Sequence, residues 1–285
     1  MDQIEPGFLV RLEGGAVLGA RRVVVATGLR DELPVIPGVR ERWGRDLLFC
    51  PYCHAYEVRD QPIGVQEARG LQHLAASDAA LPGWLASSAQ DHATPAIRLL
   101  EAHGYERARW WLELERDLAS PVAAQPPVPG VRLVAYSAEW DERARTAMND
   151  AFRDHWGSQP VTAAEWASGD RLEAFRPDLS LLAVTPDTHE GERVVGFVFV
   201  DVAPDEWPLR GGPFGYVTTV GVRREARGQG LARTLLAHVL RALRAEGLDH
   251  AVLDVDAESP TGALGLYQSL GFTVTDRTVS LIKRF

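Results

Sequence analysis

Residues 217–236 read VTTVGVRREARGQGLARTLL, a β-branched stretch, a glycine-rich turn and an amphipathic run in immediate succession. That order constrains the fold more than any other feature of the chain. VTTVGV predicts a strand, because β-branched side chains suit a pleated surface. Past the turn, Leu231, Leu235, Leu236, Val239, Leu240 and Leu243 fall on one face at helical spacing. Between strand and helix, Arg227, Gly230 and Ala232 fit the pattern Arg-x-x-Gly-x-(Gly/Ala). Glycine lets backbone approach a ligand closely, and successive N–H groups can face one concavity. The N-terminal end of the helix adds partial positive charge, so the turn suits a pyrophosphate. It is not a Walker loop, which needs Gly-Lys-Ser/Thr, nor a dinucleotide turn, which needs G-x-G-x-x-G.

The chain has 285 residues, room for one large domain or two ordinary ones. A formal net charge of -9 gives no basic footprint for nucleic acid or an anionic membrane. No apolar run approaches the roughly 20 residues of a membrane-spanning helix, and the N-terminus lacks the features of a signal peptide. A cytoplasmic protein with neither nucleic acid nor membrane as partner is expected. The oligomeric state is open, a homodimer included.

Three regions follow one another. Residues 1–65 are β-rich, with GARRVVVATG (19–28) reading as a buried strand. Residues 66–120 read as helical and then strand-like, ending in RARWWLELERD. PVAAQPPVPG (121–130) reads as a stiff proline-rich linker. Beyond it, strands are expected at 131–136, 179–184, 193–202, 216–222 and 250–255, with a helix at 139–152. TPDTHEGE suits a hairpin turn. A last helix is expected with Ser259 as N-cap, Pro260 first and Gly271 as its stop, before two short strands, FTVTD and VSLIKRF. AIRLLEAHGY (96–105) also aligns without gaps to ALGLYQSLGF (263–272), an offset of 167, with QDHATP in the place of AESPTG.

The glycine-turn unit, followed by a strand, a helix ending LYQSLGF and a closing hairpin, resembles the GCN5-related N-acetyltransferase (GNAT) family. The resemblance covers 131–285 and is sharpest over 216–272. It implies an α/β (α+β) fold, a mixed, mostly antiparallel central sheet flanked by helices, here preceded by the β-rich fragment. It also implies acetyl-CoA as co-substrate, with direct transfer of acetyl to a primary amine of a small molecule or peptide. On that resemblance the backbone of Arg227, Gly228, Gln229, Gly230, Leu231 and Ala232 holds the pyrophosphate, and Arg227 or Arg233 adds charge. Val220 and Val222 lie on the strand that pairs with the pantetheine arm. Ser259 stands where many relatives carry asparagine, so contacts there are expected to be weaker. Tyr267 stands where family members carry a tyrosine that protonates the departing thiolate, a transfer that the similar pKa values of phenol and thiol allow.

A general base is not identified. The strand 216–219 reads Tyr-Val-Thr-Thr, without an acid, and Asp201, Asp205, Glu206, Asp254 and Asp256 are the carboxylates nearest by topology. Trp156, Trp166 and Phe175 precede the core strands as core packing or a substrate cover. In the repeat, Leu100 takes the place of Tyr267 and no glycine turn precedes it. Residues 66–120 therefore resemble the remnant of a first GNAT unit, the Trp110–Trp111 strand extending or covering the sheet of the second.

Residues 8–65, with Ala26-Thr27-Gly28, the step Pro34 to Gly38 and the pair Cys50/Cys53, resemble a fragment of a thioredoxin-reductase-like flavoprotein. That family's two glycine fingerprints are missing around it, so neither FAD nor NADPH is expected. No metal site is expected. Two other readings stay open: a dithiol redox protein using Cys50 and Cys53 with an external reductant, and a non-catalytic acyl-CoA-binding protein.

Overall fold

The computed structural model describes residues 2–4, 7–11, 17–20, 67, 71, 83–168, 174–187, 191–259 and 261–285. The chain divides into two compact units, Met1–Arg69 and Gly70–Phe285. In the first, β1 (Asp2–Ile4), β2 (Gly7–Arg11) and β3 (Val17–Ala20) form an antiparallel sheet, in keeping with the β-rich reading. The strand expected over 19–28 is described only as far as Ala20, and Cys50 and Cys53 lie outside the described residues.

The second unit alternates strands and helices. Its elements are β4 (Trp84–Gln90), α1 (Thr94–Ala102), β5 (Glu106–Asp117), β6 (Arg132–Ala135), α2 (Asp141–Ala151) and α3 (Ala163–Ser168). Then come β7 (Leu181–Asp187), β8 (Gly191–Asp201), β9 (Phe214–Val222), α4 (Leu231–Ala245), β10 (His250–Asp256), α5 (Ala263–Ser269) and β11 (Thr273–Arg284). Among the described residues the strands make one eight-stranded sheet in the order β4-β11-β5-β10-β9-β8-β7-β6. All neighbours are antiparallel except β9 and β10. The leucine stripe of α4 is buried against Val195, Val198, Val217 and Leu253. Leu182 and Val184 of β7 and Val194 and Phe197 of β8 pack instead with Ala144 and Ala147 of α2. Period-2 alternation in the strands thus feeds two cores, one under each helix.

The end of the chain differs from expectation. FTVTD and VSLIKRF do not form a hairpin; Thr273–Arg284 is one twelve-residue strand. Its middle, Asp276-Arg277-Thr278, has no glycine or proline to turn the chain. The place beside β11 that a hairpin partner would take is filled by β5, which begins 167 positions earlier in the chain. That strand neither extends nor covers the sheet: it lies inside it, between β10 and β11.

The repeat is visible in this arrangement. β4-α1-β5 corresponds to β10-α5-β11, and the four strands run β10-β5-β11-β4, so each segment's long strand sits between the two strands of the other. The β5–β11 ladder skips Thr275 on one strand and Ala108 on the other, again 167 positions apart. The proline-rich segment packs rather than merely spanning. Val128 is buried in the core and Val122 lies against it. Arg116, 5% exposed, donates to the carbonyls of Asp117, Ser120, Pro121 and Leu270, which satisfies a guanidinium that burial would otherwise penalise.

Leu114 of β5 is fully buried in the core under α4. Leu114→Ala is expected to lower the unfolding free energy of the second unit by about 2–5 kcal/mol, read by chemical denaturation. A chain beginning at residue 121, lacking β5, is expected to show no cooperative transition.

Candidate active site

Parallel pairing joins β9 to β10 only where Phe214, Gly215 and Tyr216 meet His250, Ala251 and Val252. Beyond that point the strands part, β9 running on to Val222 and β10 to Asp256. Thr218 is skipped in the β8–β9 ladder, a bulge at the point of divergence that bends β9 away. A cavity of about 620 Å³ occupies the wedge.

The glycine turn closes one end of this cavity. Gly228 and Gly230 adopt φ of 79° and 78°, left-handed values that other residues reach only with strain. Nothing lies within 4 Å of where a Cβ would project from either, so the turn is open on its concave side. Among the described residues the N–H groups of Gly230, Leu231, Ala232 and Arg233 meet no protein acceptor, the first intrahelical donor being Thr234. Four unpaired amides and a helix N-terminus make a ready anion site.

Of the residues expected to hold the co-substrate, Val220, Val222, Arg227, Gly228, Gly230, Leu231, Ala232, Arg233 and Ser259 line the cavity, and Tyr267 lines it with them. Gln229 is exposed on the turn and does not. Arg227 is engaged elsewhere: its guanidinium donates to the carbonyls of Val222, at 3.1 Å, and Ala151, at 2.8 Å. It ties the turn to the end of α2, which leaves Arg233 as the freer of the two cations. Ser259 is not the N-cap of the last helix. That helix begins at Ala263 after Gly262 in the left-handed conformation, and Pro260 lies outside the described residues. Ser259 Oγ instead meets Thr261 Oγ1 at 2.9 Å in a local turn, which holds the chain away from helical geometry for those residues. Tyr267 is 7% exposed, with its ring edge-on to Phe272, and burial pushes its phenol up to about 12.

The carboxylates separate cleanly. Asp201, Asp205 and Glu206 do not line the cavity. Asp256 does, but it is buried and held by Arg109 at 3.0 Å. Asp254 lines the cavity, accepts a hydrogen bond from Tyr216 Oη, and is pushed above the usual carboxylate range by partial burial. Two walls were not anticipated. Trp111 enters from β5, and Phe152, Asp154 and His155 come from the end of α2. Trp111 and His155 lie 5.8 Å apart, with Trp156 packed between Trp84 and Trp111. Trp166 and Phe175 pack instead on Phe199, so the three expected aromatics do not form one cluster.

A sequence profile of the acetyltransferase (GNAT) family matches residues 141–272. A mycothiol acetyltransferase from Kocuria rhizophila is 33% identical over 268 residues, 91% of this chain and 78% of the relative. This chain belongs to the GNAT family. A mycothiol acetyltransferase from Thermobispora bispora is 37% identical over 179 residues, 62% of this chain. The chain spans 58%, 57% and 66% of the first three curated relatives that it matches. A GCN5-related N-acetyltransferase from Sphaerobacter thermophilus has the same GNAT fold, with a TM-score of 0.60 at 28% identity, over 79% of this chain and 70% of that one.

Gly221, on the cavity wall, has the Phe197 ring where its Cβ would stand, at 2.2 Å. Gly221→Ala is expected to cost about 1–3 kcal/mol of stability, and Phe197→Leu in the same chain to recover part of it. Thermal melts of the single and double variants measure both.

Proposed function

We propose that this chain is an acetyl-CoA-dependent N-acetyltransferase acting on a small-molecule primary amine. The observation that carries the reading is the wedge between β9 and β10, floored by the open glycine turn and holding Tyr267. The residues present fit the co-substrate. The unpaired amides from Gly230 to Arg233 suit a pyrophosphate, with Arg233 beside it and Arg227 bracing the turn from behind. The inner edge of β9, free of β10 past Tyr216, offers backbone groups to the amide-bearing arm. The thioester then lies in the wedge, within the walls formed by Thr218, Thr219, Val255 and Tyr267.

Tyr267 gives its proton to the departing thiolate. With its phenol pushed up to about 12, it stays protonated throughout the neutral range, as an acid must before the step. Relatives named mycothiol acetyltransferase support a mycothiol-related amine as acceptor. The matched skips at Ala108 and Thr275 support the reading of 66–120 as the remnant of a first GNAT unit, one whose counterpart of Tyr267 is Leu100.

The test is thiol release from acetyl-CoA across a panel of amines. Acetyl-CoA is expected to raise the melting temperature, and at least one amine to give turnover; stabilisation with no turnover leaves a binding protein. Tyr267→Phe is expected to lower kcat by about 100-fold with acetyl-CoA affinity retained. Arg233→Ala is expected to raise KM for acetyl-CoA and leave kcat near its starting value.

A further inference from the structure

Tyr267 accounts for the proton that the thiolate gains, but not for the one that the amine loses. An alkylammonium is protonated at neutral pH and has no lone pair for attack. The cavity holds few groups able to take that proton. Asp256 is committed to Arg109 at 3.0 Å, and Asp154 is bound by Arg224, which keeps its carboxyl below the usual range. His155 is tilted against Phe152 and against Trp111, whose ladder partner is Asp256, so it lies toward the tip of β10 rather than where β9 and β10 part, and its Nδ1 faces the carbonyl of Trp156 at 3.2 Å.

Asp254 differs from all of these. It sits two residues past Val252, the last residue of β10 paired to β9, and so at the crotch of the wedge where the strands diverge. Its side chain is open to the cavity on one side and accepts a hydrogen bond from the Tyr216 hydroxyl, which reaches it from β9. We propose that Asp254 is the proton acceptor for the incoming amine, and that Tyr216 positions it. The proposal rests on the acetyltransferase reading above.

The charged neighbours are consistent with that role. Glu113 of β5, directly across the ladder from Asp254, and Asp276 of β11 both oppose its ionisation. Arg210 favours it, but that cation is already paired with Glu113. Tyr216 also favours ionisation by donating to the carboxylate. Partial burial outweighs these and raises the pKa, which makes Asp254 a stronger base than an ordinary carboxylate. The same acidic surroundings attract a cationic amine to the spot.

In the step, Asp254 takes one proton from the ammonium, and the freed nitrogen attacks the thioester carbon. The C–N bond forms and the C–S bond breaks. The thiolate takes the phenolic proton of Tyr267, and the second proton shed by nitrogen restores the tyrosine. Asp254 returns its proton to solvent. One proton is released per turnover.

The experiment is the pH dependence of kcat/KM, by thiol release with an amine found active in the panel, for the full-length wild type, Asp254→Asn and Tyr216→Phe. Wild-type activity is expected to rise with pH through the raised pKa of Asp254. Asp254→Asn is expected to lower kcat by about 100-fold or more and to abolish that limb, with acetyl-CoA affinity unchanged. Tyr216→Phe removes a donor to the carboxylate, so the limb should move to higher pH, with a smaller loss of kcat than in Asp254→Asn. An Asp254→Asn protein with kcat within about threefold of wild type and the limb in place overturns the assignment. If Asp254→Asn folds poorly, a Tyr216→Phe limb that does not move overturns it instead. A wild type that releases no thiol with any amine overturns the acetyltransferase reading, and the proposal with it; a wild type that turns over normally beside an equally active Asp254→Asn overturns the proposal alone.

Discussion

The geometry of the site depends on β5 lying between β10 and β11. A strand that leaves its neighbour exposes a row of backbone donors and acceptors on that edge. β10 leaves β9 after Val252, and it continues as a strand because its other edge is fully paired to β5 from His250 to Asp256. Only the inner edges of the wedge are then left unpaired, and these face a cavity that water or a ligand can fill. Arg109 adds a side-chain tie across the same ladder, holding the buried Asp256 at the tip of β10 while also reaching Glu258. Take β5 away and β10 becomes a strand bonded on one side for three residues.

This dependence explains what the amino-acid sequence disclosed and what it hid. The strand–turn–helix at 217–236 was legible because each cue is local: β-branched residues, glycines at left-handed positions, leucines at helical spacing. β7, β8 and β10 were legible for the same reason, and so were the cavity positions attached to them, including Tyr267 and most of the glycine turn. The location of β5 was not. RARWWLELERD reads as a strand, but nothing in its own alternation says which strands it joins, and the 167-residue repeat pointed to an appended remnant rather than an inserted one. The misreading of the chain end as a hairpin has the same root, since a hairpin would supply locally what β5 supplies from a distance. Ser259 shows a smaller failure: the local Ser–Thr turn and the left-handed Gly262 outcompete an N-cap that the Ser-Pro pair suggested.

Charge within the site follows a division of labour that a motif alone does not show. Arg227 is the arginine of the sequence pattern, yet two of its guanidinium nitrogens hold main-chain carbonyls, so its work is to fix the shape of the glycine turn. The neighbouring arginines do similar service, Arg224 pairing with Asp154 and Arg223 donating to the carbonyl of Val194. Rigid positioning of amides is worth more at an anion site than another mobile cation, because fixed dipoles need no reordering when the ligand arrives.

The cavity also has a wall that lies outside the profile-matched region 141–272. Trp111, from β5, lines it, and Arg109 on the same strand stacks over Trp156 at 5.9 Å while bonding Asp256. Trp156 in turn packs on Trp84 of β4. One side of the cavity is therefore built by Trp111 of β5 and by the segment that follows α2, with β4 supporting it through Trp84 and Trp156. A substitution in β5 changes both the support of β10 and the wall of the cavity. Residue-by-residue transfer from the family motif reaches the part of the cavity lined by the glycine turn and β9 and stops there; the Trp111 wall is set by how the two repeat segments interleave.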